Sequence, residues 1–163
     1  MKLRFLSIFA AAALLAACES APEATGAKAG AGAAPPVAAK PSIVPGSEQD
    51  FIANVGDRVF FDYDKSALRT DAKATLDKQV AWLKKYPTYK MTIEGHADER
   101  GTREYNLALG ERRANSVKEY MVGAGLPKDR IKTISYGKER PVALGSNEAA
   151  WSQNRRGVTV LSK

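Results

Sequence analysis

The stretch "EGHADERGTREYN", residues 94–106, gathers Glu94, His96, Asp98, Glu99, Arg100 and Arg103 around Gly95 and Gly101. Three kinds of chemistry fit such a mixture. A histidine among carboxylates could hold a metal, a carboxylate pair could run acid–base catalysis, and Asp98 with a distant arginine could grip a charged ligand without transforming it.

A metal site finds thin support. His96 is the only histidine and Cys18 the only cysteine, so zinc would depend mostly on carboxylates, and no H-E-x-x-H is present. "DYDKSALRTDAK" begins like a calcium loop at Asp62 and Asp64, but Ala67 stands where the loop needs glycine and Lys73 where it needs glutamate. Catalysis fares no better. No G-x-S-x-G elbow accompanies a serine, His96 is the sole candidate base, and pairs such as Glu94 and Asp98 carry no glycosidase signature in sequence alone. The reading is of a non-enzyme with no cofactor.

For the third chemistry, Asn106, Leu109 and Arg113 recur at three and four residues on one helical face. Gly110 leaves room beside the guanidinium for a close approach. Asp98 precedes that helix and offers a carboxylate near the same place. A zwitterion suits the pair, with an ammonium on Asp98 and a carboxylate on the planar fork of Arg113.

The elements that must position these groups alternate strand and helix periods. "RVFFDYD" places Val59, Phe61 and Tyr63 on one face of a strand. A helix follows, N-capped by Thr70, with Ala72, Leu76, Val80 and Leu83 on its apolar side, Lys84 and Lys85 in its last turn, and Pro87 as its stop. "YKMTIEG" is a second strand. The long helix through Arg113 is capped by Thr102 and closed by Gly123 and Gly125. "RIKTISYG" and "GVTVL" are two more strands, and "SNEAAWSQNRRG" between them is a short helix packing through Ala149 and Trp151. The class is α+β, a β-α-β-α-β-α-β sandwich with helices on one face of a four-stranded mixed sheet. Without tight hairpin signals, at least some strand pairs are expected to be parallel.

Upstream, residues 1–17 combine a basic start with a largely apolar stretch, too short for a span of about 20 residues, and read as a signal peptide. Residues 18–50 are dominated by Ala, Gly and Pro and read as a flexible linker, with a typical reach of roughly 30 Å and an extreme of about 110 Å. Residues 51–163 hold both tryptophans, all six tyrosines and three of the five phenylalanines, enough for one compact domain. The formal charge is +7, two units of it from Lys2 and Arg4 in the leader, and the rest is interspersed with acids. No clustered basic stripe marks a nucleic-acid reader.

"LAAC" directly after the apolar stretch resembles the bacterial lipobox, which implies that Cys18 becomes an acylated first residue. "EGHADERGTREYNLALGERRANSVKEYM", "ISYGKERP" and "NRRGVTV" resemble the OmpA-like peptidoglycan-binding domain. That resemblance covers residues 58–161 and implies a wall-binding domain in the periplasm, anchored through acylated Cys18 in outer-membrane lipid. It assigns Asp98 and Arg113 to the meso-diaminopimelate of peptidoglycan stems, adds Tyr63 and Asp64 from the loop after the first strand, and carries over Asn106, Leu109 and Arg155. It also implies TolB as a partner and a part in envelope integrity and cell division. Arg103 stands where the family often has proline, and Glu19 is a less common neighbour of the acylated cysteine. His96 is expected to be structural, holding backbone groups at a strand end. A cell-wall hydrolase and a protein-only adaptor are the rival functions.

Overall fold

The computed structural model describes residues 43–163; the leader, Cys18 and residues 19–42 lie outside them. A helical turn α1 (Glu48–Asp50), capped by the Ser47 hydroxyl, runs into a π-helical turn, Phe51–Val55. There follow β1 (Arg58–Phe60), α2 (Thr70–Lys85), β2 (Lys90–His96), α3 (Arg103–Gly123), β3 (Ile131–Gly137), α4 (Glu148–Asn154) and β4 (Arg156–Ser162). The sheet order is β1-β4-β2-β3. β2 and β3 run parallel, and β4 lies antiparallel between β1 and β2. The expected mixed four-stranded sheet is therefore present.

Alternation decides the faces. Met91, Ile93, Ile131, Thr159 and Leu161 turn inward under α2 and α3, while Lys90, Lys132, Ile134 and Val160 point away. α2 adds Leu76, Val80 and Leu83 to the core, and α3 adds Ala114, Val117 and Met121. Among the described residues, every member of the core cluster falls between Phe51 and Leu161.

Helix ends follow local chemistry. Thr102 accepts from the Tyr105 amide as the cap of α3. At the other end Gly125, at φ +95°, makes the left-handed turn. Leu126 then donates to the Met121 carbonyl and Gly125 to Val122, the paired bonds of a Schellman ending. Gly123 is still helical. α2 starts one residue from expectation: Arg69 is the cap position without a side-chain bond, and Thr70 is already inside the helix.

Three expectations are corrected. β1 stops at Phe60 because β4, its only partner among the described residues, begins at Arg156, opposite Phe60. Tyr63 thus leaves the strand face and is exposed, while Val59 and Phe61 are buried. In α4 it is Ala150, not Ala149, that is buried. Residues 44–50, assigned by composition to the linker, are tied to the domain at two points: Tyr89 donates from its hydroxyl to Gly46 O at 2.9 Å, and Trp82 Nε1 donates to the Asp50 carboxylate at 2.9 Å.

Candidate functional site

β2 ends at His96 in the middle of the sheet and hands the chain to a loop that turns at Gly101, φ +91°, into the N-terminus of α3. Asp98 lies in that loop. Asn106, one turn into α3, is buried and donates through Nδ2 to the carbonyls of Arg100 (2.8 Å) and Thr102 (3.1 Å), fixing the loop's shape. Lys138 ties it from the other side, with Nζ at 2.7 Å from Gly101 O.

α3 comes very close to β2. A Cβ on Gly95 would run into the Gly110 carbonyl, and one on Gly110 would strike Ser135 Oγ. The group that approaches Gly110 is therefore the neighbouring strand, not a ligand. That contact sinks Arg113 fully: its exposure is 0%. The guanidinium donates from Nε to Lys65 O (2.8 Å), from Nη1 to His96 O (2.8 Å) and from Nη2 to Asp62 O (3.1 Å). Three of its five N–H groups are thereby committed and two are left. Burial pushes this guanidinium down to about 10. The surface salt bridge that a helical arginine usually makes, to Glu104 or Glu111, is not formed.

Six of the seven expected ligand residues, Tyr63, Asp64, Asp98, Asn106, Leu109 and Arg113, line one cavity of about 200 Å3 together with Arg100, Gly101 and Tyr105. The seventh, Arg155, stands behind Asp98. It is buried and donates to Phe61 O (3.1 Å), to Asp98 Oδ2 (3.3 Å) and to Glu148, so its donors serve the framework. Asp64 sits at φ +56° and accepts from the Tyr105 hydroxyl, which holds the first-strand loop against α3.

Asp98 is a buried carboxylate with several donors. Arg100 reaches it through its backbone amide (3.1 Å), Nε (3.2 Å) and Nη2 (2.7 Å). Burial pushes the carboxyl up, but the Arg100 bonds and charge, aided by Arg155, outweigh it and hold Asp98 below the usual carboxylate range. Sequence reasoning missed Arg100, Tyr105 and Trp151. The first could have been found as an arginine two residues after the key aspartate; nothing in periodicity marks the other two.

His96 differs from expectation. Its backbone carbonyl serves Arg113, but neither ring nitrogen has a hydrogen-bond partner. Among the described residues no three His, Cys, Asp or Glu side chains converge as a metal-holding group.

Residues 60–155 match the OmpA family. The peptidoglycan-associated lipoprotein of Rhizobium meliloti (strain 1021) is 63% identical over 120 residues, covering 74% of this chain and 68% of its own. That of Brucella melitensis biotype 1 is 60% identical over 121 residues, covering 74% and 72%. Among solved structures, the crystal structure of the peptidoglycan-associated lipoprotein from Burkholderia pseudomallei superposes with a TM-score of 0.66 at 38% identity, over 70% of this chain and 98% of that one.

Proposed function

The chain belongs to the OmpA family, among the peptidoglycan-associated lipoproteins, and on that premise we propose that it is a non-enzymatic tether between a membrane and the cell wall. The folded domain reversibly grips peptidoglycan, and the ligand group is the zwitterionic end of meso-diaminopimelate in the peptide stem. Acyl chains on Cys18 hold the other end in the outer membrane, with the domain in the periplasm. Partnership with TolB in the Tol-Pal envelope system, and a role in envelope integrity and cell division, complete the reading by family analogy.

One observation carries it: the Asp98 carboxylate and the Arg113 guanidinium line the same cavity of about 200 Å3. At roughly 30 Å3 per water that is the space of six or seven waters, room for an amino-acid head group. The head group's ammonium goes to Asp98 and its carboxylate to the two remaining N–H groups of Arg113. A lysine-ended stem lacks that carboxylate and leaves the buried guanidinium short of a partner, which is how the site discriminates.

The test is sedimentation of residues 43–163 with sacculi of the diaminopimelate type. Sedimentation without released muropeptides is the expected result, and Asp98→Asn should abolish it. Soluble fragments would identify a hydrolase. Protein left in the supernatant would leave only a protein-binding adaptor.

A further inference from the structure

Asp98 already has a cation on it. The Arg100 guanidinium carbon stands over two aromatic rings, 3.9 Å from the Tyr63 centroid and 4.0 Å from the Trp151 centroid. Nη2 is 2.7 Å from Asp98 Oδ2 and 4.0 Å from Glu148 Oε2. Trp151 is pinned from behind by its own Nε1, which donates to Glu99 Oε1 at 3.0 Å. Two aromatic rings and the Asp98 carboxylate, with Glu148 at the outer limit of an ion pair, thus surround a cation site beside the cavity, filled by a side chain of the same loop. The Arg100 side chain is 29% exposed, while Asp98 beneath it is 5% exposed. Arg100 and Asp98 line the same cavity, so a cation arriving at Asp98 competes with this guanidinium.

We propose that Arg100 is a resident competitor that sets the selectivity of the site. This rests on the tether reading above and extends it. An ammonium arriving at Asp98 exchanges one cation for another, so the exchange by itself gains little. A ligand binds net only when it brings a second group that Arg100 cannot supply, a carboxylate for the free N–H groups of Arg113. The displaced guanidinium, hinged two residues from Asp98, is then also within reach of that carboxylate. A lone amine has no such compensation and is turned away, although Asp98 alone would accept it.

Residues 43–163, wild type and Arg100→Gln, are titrated with sacculi of the diaminopimelate type and with sacculi of the lysine type. The wild type should prefer the first, and Arg100→Gln should shrink that preference about tenfold by gaining affinity for the lysine polymer. If Arg100→Gln loses affinity for both polymers in step, so that the ratio holds or widens, Arg100 is a ligand contact or a scaffold and the proposal is wrong. A second measurement needs no peptidoglycan. Arg100→Ala opens the cage, and guanidinium chloride at low millimolar concentration should then quench Trp emission saturably, with no such change in the wild type. Wild-type protein that binds neither polymer, beside an Arg100→Ala variant that captures guanidinium, removes the tether and keeps the competitor. An Arg100→Ala variant that captures none removes the competitor.

Discussion

Nη1 of Arg113 donates to the backbone carbonyl of His96 at 2.8 Å, joining the middle of α3 to the end of β2 two residues before Asp98. A side chain placed in the proposed ligand cavity is thus also a strut, since its other donors hold Lys65 O and Asp62 O in the first-strand loop. A ligand-contact role alone would let Arg113→Ala remove binding and spare the fold. The structure says otherwise: the buried His96 carbonyl and the part-buried Lys65 and Asp62 carbonyls would lose their donor, at a cost of roughly 3–5 kcal/mol. Arg113→Lys should fare little better, because one ammonium cannot meet three diverging acceptors. Urea unfolding midpoints, measured beside sacculus binding, separate the two losses.

Gly95 and Gly110 set how deep Arg113 sits. Gly110→Ala should force α3 off β2 and destabilise the domain by about 1–3 kcal/mol, the usual range for overpacking. Binding should weaken as well, since the guanidinium moves with the helix. Gly123→Ala, whose Cβ meets nothing within 4 Å, is the control and should be neutral or slightly stabilising. Thermal melts of both variants check this.

Much of this arrangement is legible in the chain. The alternation of period two and period 3.6 gives the element order, and the 106–109–113 spacing puts three cavity residues on one helical face. What is not legible depends on contacts between distant segments. Tyr63 leaves its strand because β4 begins opposite Phe60, which no local pattern contains. Gly110 looks like space for a ligand until Gly95 is seen against it. The Arg100 stack needs Trp151, 51 positions on, at 4.0 Å. Composition also hides the segment bonded to the domain before Phe51, where Ala, Gly and Pro give way only gradually to residues with partners.

That segment leads to a deletion experiment. A chain beginning at residue 51 loses the Asp50 carboxylate from Trp82 Nε1 and the Gly46 carbonyl from the Tyr89 hydroxyl. It should melt about 5 °C below a chain beginning at residue 43, with unchanged sacculus affinity because the cavity is elsewhere. Equal melting temperatures would mean that these bonds add nothing to the core.

Cys18 carries the proposed anchor. One acyl chain binds a bilayer only marginally, so a durable anchor takes more than one. Cys18→Ser should move the protein from the membrane fraction to the soluble envelope fraction while sacculus binding persists. Continued membrane association would put the anchor in another part of the chain.

His96 should make the stability of the domain acid-sensitive. The ring is 1% exposed, and both nitrogens are without hydrogen-bond partners. Tyr136 lies over it at 5.6 Å, Glu94 Oε2 is 3.5 Å from Nε2, and Arg156 and Arg140 face it with positive charge. Glu94 alone would favour a protonated ring, but burial, followed by Arg156 and Arg140, prevails and pushes the imidazole down from 6.5 to about 4. Above pH 6.5 the ring is neutral folded and unfolded, and contributes no pH dependence. Between about 6.5 and about 4 the unfolded chain takes up a proton that the folded one refuses. Stability should therefore fall with falling pH across that window, by about 3 kcal/mol in all, and level off below it. Urea midpoints at pH 7.5, 6.5, 5.5 and 4.5 read the slope directly. His96→Leu removes the titrating group and should flatten the curve through the window, whereas wild-type and variant curves that run parallel would show that the ring is not the group that titrates. Because the His96 carbonyl holds Arg113, loss of sacculus binding should accompany acid unfolding and not precede it.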